Sequence, residues 1–369
     1  MIDYLTYRKF HSDATNFRFT EYNKRPFDTW PETIHYDTPL SDLEAMLLPA
    51  VIHGFFMKEK KWIGLLVENV GHIEWNKDAY ERLVLPQSTK DLVKALIMVR
   101  KSKSGAKLGM SLAGKRDDII AGKGNGLIML LHGGPGTGKT LTAGRHIILF
   151  QSWQLADKEQ KGAVAELAEM PLYSVTCGDV GTKPDVVEQY MNTVLHLGKT
   201  WNCVLLLDEA DVFLEERTLS DVERNSLVSV FLRVLEYYEG ILILTSNRVG
   251  TLDEAFKSRI QVALQYPPLN RPSRRQIWLN FFDMLETDDE EINLHELRRR
   301  IDELTSHEMN GRQIRNVLTA ARQLAMYKQE TLGWDHLEQA IKTASAFDTY
   351  LKNVHGHTDE QWAADNKLR

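Results

Sequence analysis

The stretch LIMLLHGGPGTGKT, at residues 127–140, carries the strongest structural signal in the chain. Its apolar first half predicts a β-strand, and its second half fits the spacing G-x-x-x-x-G-K-[ST] from Gly133 to Thr140. Glycines at these positions let backbone N–H groups surround a phosphate. A helical pattern at residues 140–155 begins at the same point, so the positive end of that helix would face the anion. We therefore predict a strand, a phosphate-binding loop and a helix in succession.

The two polar residues that end the loop have separate predicted roles. Lys139 can neutralise the β and γ oxygens of a nucleotide, and the hydroxyl of Thr140 can ligate Mg²⁺. The predicted nucleotide-binding residues are Gly134, Pro135, Gly136, Thr137, Gly138, Lys139, Thr140 and Leu141.

A second apolar run, Val204–Leu207, ends in two carboxylates, Asp208 and Glu209. Ligands of open parallel sheets bind at the carboxyl ends of the strands, which is where this run places both residues. Asp208 is predicted to hold Mg²⁺ through water, because carboxylate oxygen suits a hard cation. Glu209 is predicted to be the general base toward the attacking water.

Three further polar residues complete the predicted site. Asn247 follows an apolar run, Ile241–Thr245, and its amide suits the orientation of the attacking water. Arg259 is predicted to reach the γ-phosphate of a neighbouring subunit, and Arg312 to sense the γ-phosphate from the start of a helix. The alternatives left open are a turn-capping amide at Asn247, a surface ion pair at Arg259 and a solvated helix face at Arg312.

Beyond these segments, short apolar runs alternate with longer helical patterns from residue 117 to Pro268. This alternation predicts an α/β unit whose parallel sheet is covered by helices on both faces. After Pro268 the runs stop and helical patterns follow, which predict an all-helical unit. The predicted strands are Leu127–His132, Leu172–Thr176, Val204–Leu207, Ile241–Thr245 and Ile260–Gln265, and the predicted helices of the second unit are Arg274–Leu285, Leu294–Leu304, Gly311–Tyr327 and Trp334–Ala346.

The N-terminal region has a different pattern. Prolines interrupt any long element before residue 45, and Lys61–Trp75 is apolar enough for one or two strands. We expect three regions: a mixed α/β region of unknown role at 1–90, a nucleotide-binding α/β domain at 91–268, and a helical lid with a C-terminal tail at 269–369.

Composition excludes several classes of protein. The 369 residues carry 45 Lys and Arg against 51 Asp and Glu, a net charge of −6, which does not suit non-specific coating of nucleic acid. Two cysteines, Cys177 and Cys203, exclude a disulfide scaffold and a zinc site. The longest uncharged apolar stretch, residues 45–57, is shorter than the ~20 residues that span a bilayer. We expect a soluble, intracellular protein whose compartment the sequence does not indicate.

With these motifs in order, the chain resembles the AAA+ ATPases. GGPGTGKT resembles Walker A, LLLDEAD Walker B, LTSNR sensor 1, FKSRI the arginine-finger segment and NGRQIRN sensor 2. DEADVFLEER and LDEAFKSRIQVALQYP are similar to a largely uncharacterised group of fungal AAA+ ATPases that carry an extra N-terminal domain. The resemblance covers roughly residues 60–369.

The resemblance implies a P-loop NTPase fold, with a five-stranded parallel sheet in the order 5-1-4-3-2 and a four-helix lid. It also implies a homo-oligomer, a hexameric ring with ATP between subunits, in which ATP and Mg²⁺ drive remodelling of an unknown protein substrate. By motif, it assigns Walker A to Gly133–Thr140, Walker B to Asp208 and Glu209, sensor 1 to Asn247, a trans-acting finger to Arg259 and a cis-acting sensor 2 to Arg312.

Two other functions stay open. One is a nucleotide-switched adaptor with little turnover. The other is a DNA-acting AAA+ protein, for which the triplet Arg298-Arg299-Arg300 is the basic candidate, although we do not expect a nucleic-acid partner. Many AAA+ unfoldases grip peptide with an aromatic pore loop, whereas the corresponding stretch here, Cys177–Pro184, has no aromatic residue. Family resemblance therefore does not imply threading of an unfolded polypeptide.

Overall fold

The computed structural model describes residues 1–11, 46, 48–104, 126–143, 163–181, 183–217, 221–286, 292–356 and 359–366. Its contacts divide the chain into two compact units, Met1–Glu74 and Trp75–Arg369. The three regions expected from the sequence remain a prediction.

The described residues of the first unit include a short α-helix and a β-hairpin. Helix α1, Tyr4–Phe10, begins at Asp3, whose carboxylate accepts the backbone N–H of Thr6 at 3.0 Å. Strands β1, Val51–Phe56, and β2, Lys61–Leu66, pair antiparallel. The strand prediction for residues 61–75 is thus correct only for its first six residues, because a 3₁₀ turn follows at residue 67.

The second unit is built on a five-stranded parallel sheet. Its spatial order is β4-β5-β6-β3-β7, and every neighbouring pair is parallel. If these five strands are numbered 1 to 5 along the chain, from β3 to β7, the spatial order read from β7 is 5-1-4-3-2. The order that the resemblance implies is therefore confirmed. The strands are β3 Leu127–Gly133, β4 Leu172–Thr176, β5 Val204–Asp208, β6 Ile241–Ser246 and β7 Val262–Tyr266.

Helices precede and connect these strands. The helix predicted at residues 140–155 is described as far as Ala143, and the rest of that prediction lies outside the described residues. The described helices are α2 Asp78–Glu81, α3 Gln87–Ser104, α4 Lys139–Ala143, α5 Ala163–Ala168, α6 Cys177–Val180, α7 Pro184–Thr200, α8 Asp211–Leu214, α9 Val222–Glu236 and α10 Glu254–Lys257.

Helices cover both faces of the sheet. Met129 of β3 and Leu206 of β5 belong to a buried cluster with Ile97 of α3. Leu205 points to the opposite face, where a Cβ added at Gly198 of α7 would lie 2.8 Å from its side chain. Because strands buried on both faces read as continuous apolar runs, the sequence pattern and this packing agree.

Helices follow β7, and those between residues 271 and 355 pack around a core that includes Trp278, Phe282 and Leu318. The single helix predicted at residues 294–304 is wrong, because Arg300 interrupts it with φ −97° and ψ 18°. The sequence has no Pro or Gly at this break. The helices are α11 Arg271–Leu285, α12 Leu294–Arg299, α13 Ile301–Ser306, α14 Gly311–Lys328, α15 Trp334–His355 and α16 Asp359–Asp365.

Within the described part of the chain, every helix is too short or too polar to traverse a lipid bilayer.

Candidate functional site

The loop after β3 contains two glycines in backbone conformations with positive φ. Gly136 has φ 73° and Gly138 has φ 105°, both in the region that side chains with a Cβ rarely adopt. A Cβ at Gly136 would lie 2.5 Å from Oδ1 of Asn310, whereas one at Gly138 would meet no atom within 4 Å. Inside the loop, the hydroxyl of Thr137 donates to the carbonyl of Gly134 at 2.8 Å.

Lys139 is buried at the start of α4, with 6% of its surface exposed. Its ammonium donates to the carbonyl oxygens of Gly133 at 2.8 Å and Gly134 at 2.7 Å. It also donates to Oδ1 of Asn247, at 2.9 Å. The structure thus brings together two predicted site residues that are separated by more than a hundred positions in the chain.

A histidine beside the loop does not add to this positive charge. His132 is partly buried on β3, and burial lowers the pKa of its imidazole, as does the nearby charge of Lys139. Because the ordinary histidine pKa already lies below 7, at about 6.5, the ring is neutral at neutral pH. Lys139 is therefore the charged group that this end of β3 offers to an anion.

The two predicted metal ligands are adjacent. The hydroxyl of Thr140 donates to Oδ1 of Asp208, with 3.1 Å between the oxygens. One hydroxyl and one carboxylate are oxygen donors of the kind that Mg²⁺ takes together with water and phosphate. The donor set that the structure presents therefore fits this ion.

Glu209 follows Asp208 in an uncommon backbone conformation, with φ 57°. Its N–H donates to the hydroxyl of Thr245 at 2.9 Å, and its carbonyl oxygen accepts from the thiol of Cys177. Burial raises the pKa of that thiol to about 11, and the carboxylates of Asp211 and Glu209 contribute, so the thiol stays protonated and able to donate.

Asp211 also holds Asn247, through the backbone of that residue. Asp211 accepts the backbone N–H of Asn247 at 3.0 Å and the hydroxyl of Ser246. Sequence reasoning did not predict a role for Asp211 or Ser246. Two signals were present, since Asp211 is the last acid of Asp-Glu-Ala-Asp and Ser246 belongs to a polar run at a strand end.

The helical unit contacts the phosphate loop directly. Gly311, the first residue of α14, donates its N–H to the carbonyl of Gly136 at 2.9 Å. Asn310 caps the same helix by accepting the N–H of Gln313 at 2.9 Å. Arg312, the predicted sensor, follows immediately and is exposed.

Arg259 forms hydrogen bonds with two residues outside the phosphate loop. Its guanidinium donates to the carbonyl of Ala255 at 2.8 Å and to the carboxylate of Glu236 at 3.3 Å. The alternative of an ion pair is therefore realised within the chain. The trans role across a subunit interface stays a prediction.

A cleft of about 530 Å³ lies between residues 81–86 and helix α11. Lys90 lines it and is 8% exposed, with its ammonium on the carbonyl of Glu81 at 2.6 Å. Asn280 of α11 donates to the carbonyl of Arg82 at 2.8 Å, which fixes this segment against the helix. Ile277, the residue after Gln276 on α11, lies close to the start of the lid helix α14. Its side chain would be 3.9 Å from a Cβ added at Gly311.

The stretch compared above with a pore loop is compact where it is described. Residues 177–180 form α6, and Thr176 and Asp179 cap this helix reciprocally. Gly181 then turns the chain with φ 82° toward α7. A short capped helix therefore forms the first half of this stretch, at residues 177–180.

Two members of the basic triplet considered as a nucleic-acid contact, Arg298 and Arg300, make contacts within the helical unit, and Arg299 is exposed. Arg298 pairs with Asp283 at 2.8 Å and with Glu286 at 2.7 Å. The guanidinium of Arg300 lies over the ring of Trp334, 4.8 Å from its centre. These contacts do not favour a free basic stripe.

Two family models match adjoining parts of the chain. Residues 129–268 match the model described as ATPase family associated with various cellular activities (AAA), and residues 269–358 match the fungal AAA+ ATPase lid domain. Pachytene checkpoint protein 2 of Saccharomyces cerevisiae is 27% identical over 164 residues, which cover 39% of this chain and 29% of that protein. The match therefore spans less than a third of the yeast protein's length.

Proposed function

Since the chain belongs to the AAA+ ATPases, we propose that it binds ATP with Mg²⁺ and hydrolyses it to ADP and phosphate. One observation carries this proposal. Three adjacent strands, β3, β6 and β5, deliver Lys139, Asn247 and the pair Asp208-Glu209 to one edge of the sheet. This edge would therefore hold a cation for the phosphates, an amide to position water and a carboxylate to accept its proton, which are the groups that phosphoryl transfer to water requires.

Nucleotide binding would use both the loop and the cleft. The backbone N–H groups of the loop and the ammonium of Lys139 would contact the β and γ phosphates. The cleft beside α11 would take the base, because residues 82–86 offer peptide groups on one side and Gln276 of α11 offers its side-chain amide on the other. This arrangement supports a nucleoside triphosphate as the substrate class.

Thr140 and Asp208 would hold Mg²⁺, which when bound neutralises charge on the phosphate oxygens. Glu209 would take a proton from water as the water oxygen bonds to the γ-phosphorus, while the bond to the oxygen that leaves with ADP breaks. Oδ1 of Asn247 accepts from Lys139, so its Nδ2 group is the donor that would orient the water.

The lid contact supports use of the hydrolysis to move a protein partner. The Gly311 N–H and the side chain of Asn310 both meet Gly136, so a change in the phosphate loop reaches the helical unit without an intermediate residue. We propose that a homo-oligomeric ring transmits this change to a protein substrate, with Arg259 acting across the interface.

The proposal predicts repeated turnover. Purified chain mixed with excess Mg²⁺ and ATP is expected to release phosphate linearly over many turnovers, and excess EDTA to stop the release, because the metal site of Thr140 and Asp208 depends on the ion. A coupled phosphate assay measures both. A burst that ends after a single turnover would instead indicate a nucleotide-switched adaptor.

Replacement of Lys139 by alanine is expected to weaken ATP binding by about 10- to 100-fold, the size of one charge-assisted contact worth about 1.5–3 kcal/mol. Titration of a fluorescent ATP analogue measures this loss. Lys199→Ala is the matched control, because Lys199 is an exposed lysine on α7 that pairs with Glu239. Equal dissociation constants for Lys139→Ala and wild type would contradict the assigned phosphate contact.

A further inference from the structure

Thr245 is a buried residue near the end of β6, 2% exposed, with a hydroxyl that contacts two residues of the neighbouring strand end. The hydroxyl donates to Oδ1 of Asp208 at 2.6 Å and accepts the N–H of Glu209 at 2.9 Å. One side-chain oxygen therefore joins the predicted metal ligand to the backbone of the predicted base.

The register of the sheet explains why a side chain makes these bonds. Strands β5 and β6 pair from Val204 with Ile241 as far as Leu207 with Leu244. Beyond that pair the backbone of β5 turns, since Glu209 has φ 57°. The Thr245 hydroxyl supplies the acceptor for the N–H of Glu209 at this turn, and the Thr245 carbonyl accepts the N–H of Ala210 at 2.9 Å.

The conformation of Glu209 needs such support. A left-handed backbone is costly for a residue with a Cβ and persists only where surrounding contacts hold it in place. Here Thr245 holds the N–H of Glu209, and Cys177 holds its carbonyl oxygen. A β-branched threonine suits this task, because its χ1 angle is restricted on a strand.

We propose that Thr245 is a positioning residue for ATP hydrolysis. Its hydroxyl sets the carboxylate of Asp208 toward the metal position beside Thr140 and sets the backbone from which the side chain of Glu209 reaches the attacking water. The inference rests on the proposed ATPase function and adds a residue that touches neither nucleotide nor water.

Thr245→Val and Thr245→Ser test this role. Valine keeps the branched shape and removes the hydroxyl, so kcat is expected to fall about 10- to 100-fold, the usual effect of losing a partner of a metal ligand. At saturating Mg²⁺ the KM for ATP is expected to change less than about threefold, since no contact made to bound substrate is removed. Thr245→Ser keeps the hydroxyl and is expected to retain most of the wild-type kcat.

A second measurement does not depend on turnover. Binding of a fluorescent, non-hydrolysable ATP analogue is titrated at increasing Mg²⁺ concentrations. The Mg²⁺ concentration that gives half of the metal-dependent binding is expected to rise about 10-fold in Thr245→Val and to stay near the wild-type value in Thr245→Ser. A purely structural role would lower the melting temperature without this separation.

Three results would overturn the proposal. The first is a wild-type kcat and a wild-type Mg²⁺ requirement in Thr245→Val. The second is equal impairment of Thr245→Val and Thr245→Ser. The third applies if the valine variant does not fold, and is an equal kcat for Thr245→Ala and Thr245→Ser. Absence of turnover in the wild type would refute the proposed hydrolysis instead. The Mg²⁺ titration would then still decide whether Thr245 positions Asp208.

Discussion

Replacement of Glu209 by glutamine is expected to lower steady-state ATP hydrolysis by about 10²- to 10⁴-fold, the usual contribution of a general base. The amide has nearly the same shape as the carboxylate but cannot take a proton from water. Nucleotide binding is expected to persist, because Lys139 and the loop backbone are unchanged. The backbone of Glu209 is held by Thr245 and Cys177, which do not contact its carboxylate in these bonds.

The measurement pairs phosphate release with equilibrium binding of a fluorescent ATP analogue. Glu216→Gln is a matched control, since Glu216 is an exposed glutamate on the same segment after β5. A Glu209→Gln variant that hydrolyses ATP at the wild-type rate would show that another group is the base.

Replacement of Arg259 by alanine is expected to lower turnover by about 10³-fold or more if the residue acts as an arginine finger in a ring. In the structure, the guanidinium of Arg259 donates hydrogen bonds to Glu236 and Ala255 of its own chain, both outside the phosphate loop. ATP affinity of the isolated subunit is therefore expected to stay near the wild-type value. Glu236→Gln is the control, because it weakens the ion pair and keeps the guanidinium.

A mixing experiment separates a trans role from a structural one. Arg259→Ala subunits keep a complete pocket but lack the finger, whereas Glu209→Gln subunits keep the finger but lack the base. Mixed rings are expected to recover part of the activity that each variant alone has lost, with assembly followed by analytical ultracentrifugation. Two inactive variants that stay inactive in verified mixed rings would refute a finger supplied by the neighbour.

Much of the α/β fold follows from the sequence. The predicted run at residues 204–207 became β5, Val204–Asp208, because a strand buried on both faces leaves an uninterrupted apolar signal. Strand β1, Val51–Phe56, was not predicted, because His53 and Gly54 break the alternation that marks a half-buried strand. The break at Arg300 carries no Pro or Gly for a local pattern to detect, and its guanidinium contacts Trp334, which lies more than thirty residues along the chain.

The candidate site divides in the same way. Lys139, Asp208 and Asn247 could be predicted to meet because each follows a strand, and parallel strands end at one edge. Thr245 and Asp211 could not, since their contacts depend on which strands are neighbours and on the turned backbone at residue 209. Local motifs thus locate the groups that face a ligand, while the groups that hold them require the assembled sheet.

The hydrogen bond between Gly136 and Gly311 connects the phosphate loop to the first residue of a long helix, α14. Helix α14 extends 18 residues from this contact, which at 1.5 Å per residue is about 27 Å. A tilt of about 10° at Gly311 would displace the far end near Lys328 by roughly 5 Å over that length. A shift at the loop no larger than a phosphate oxygen can therefore become a movement the size of a side chain at the outer end of the helix.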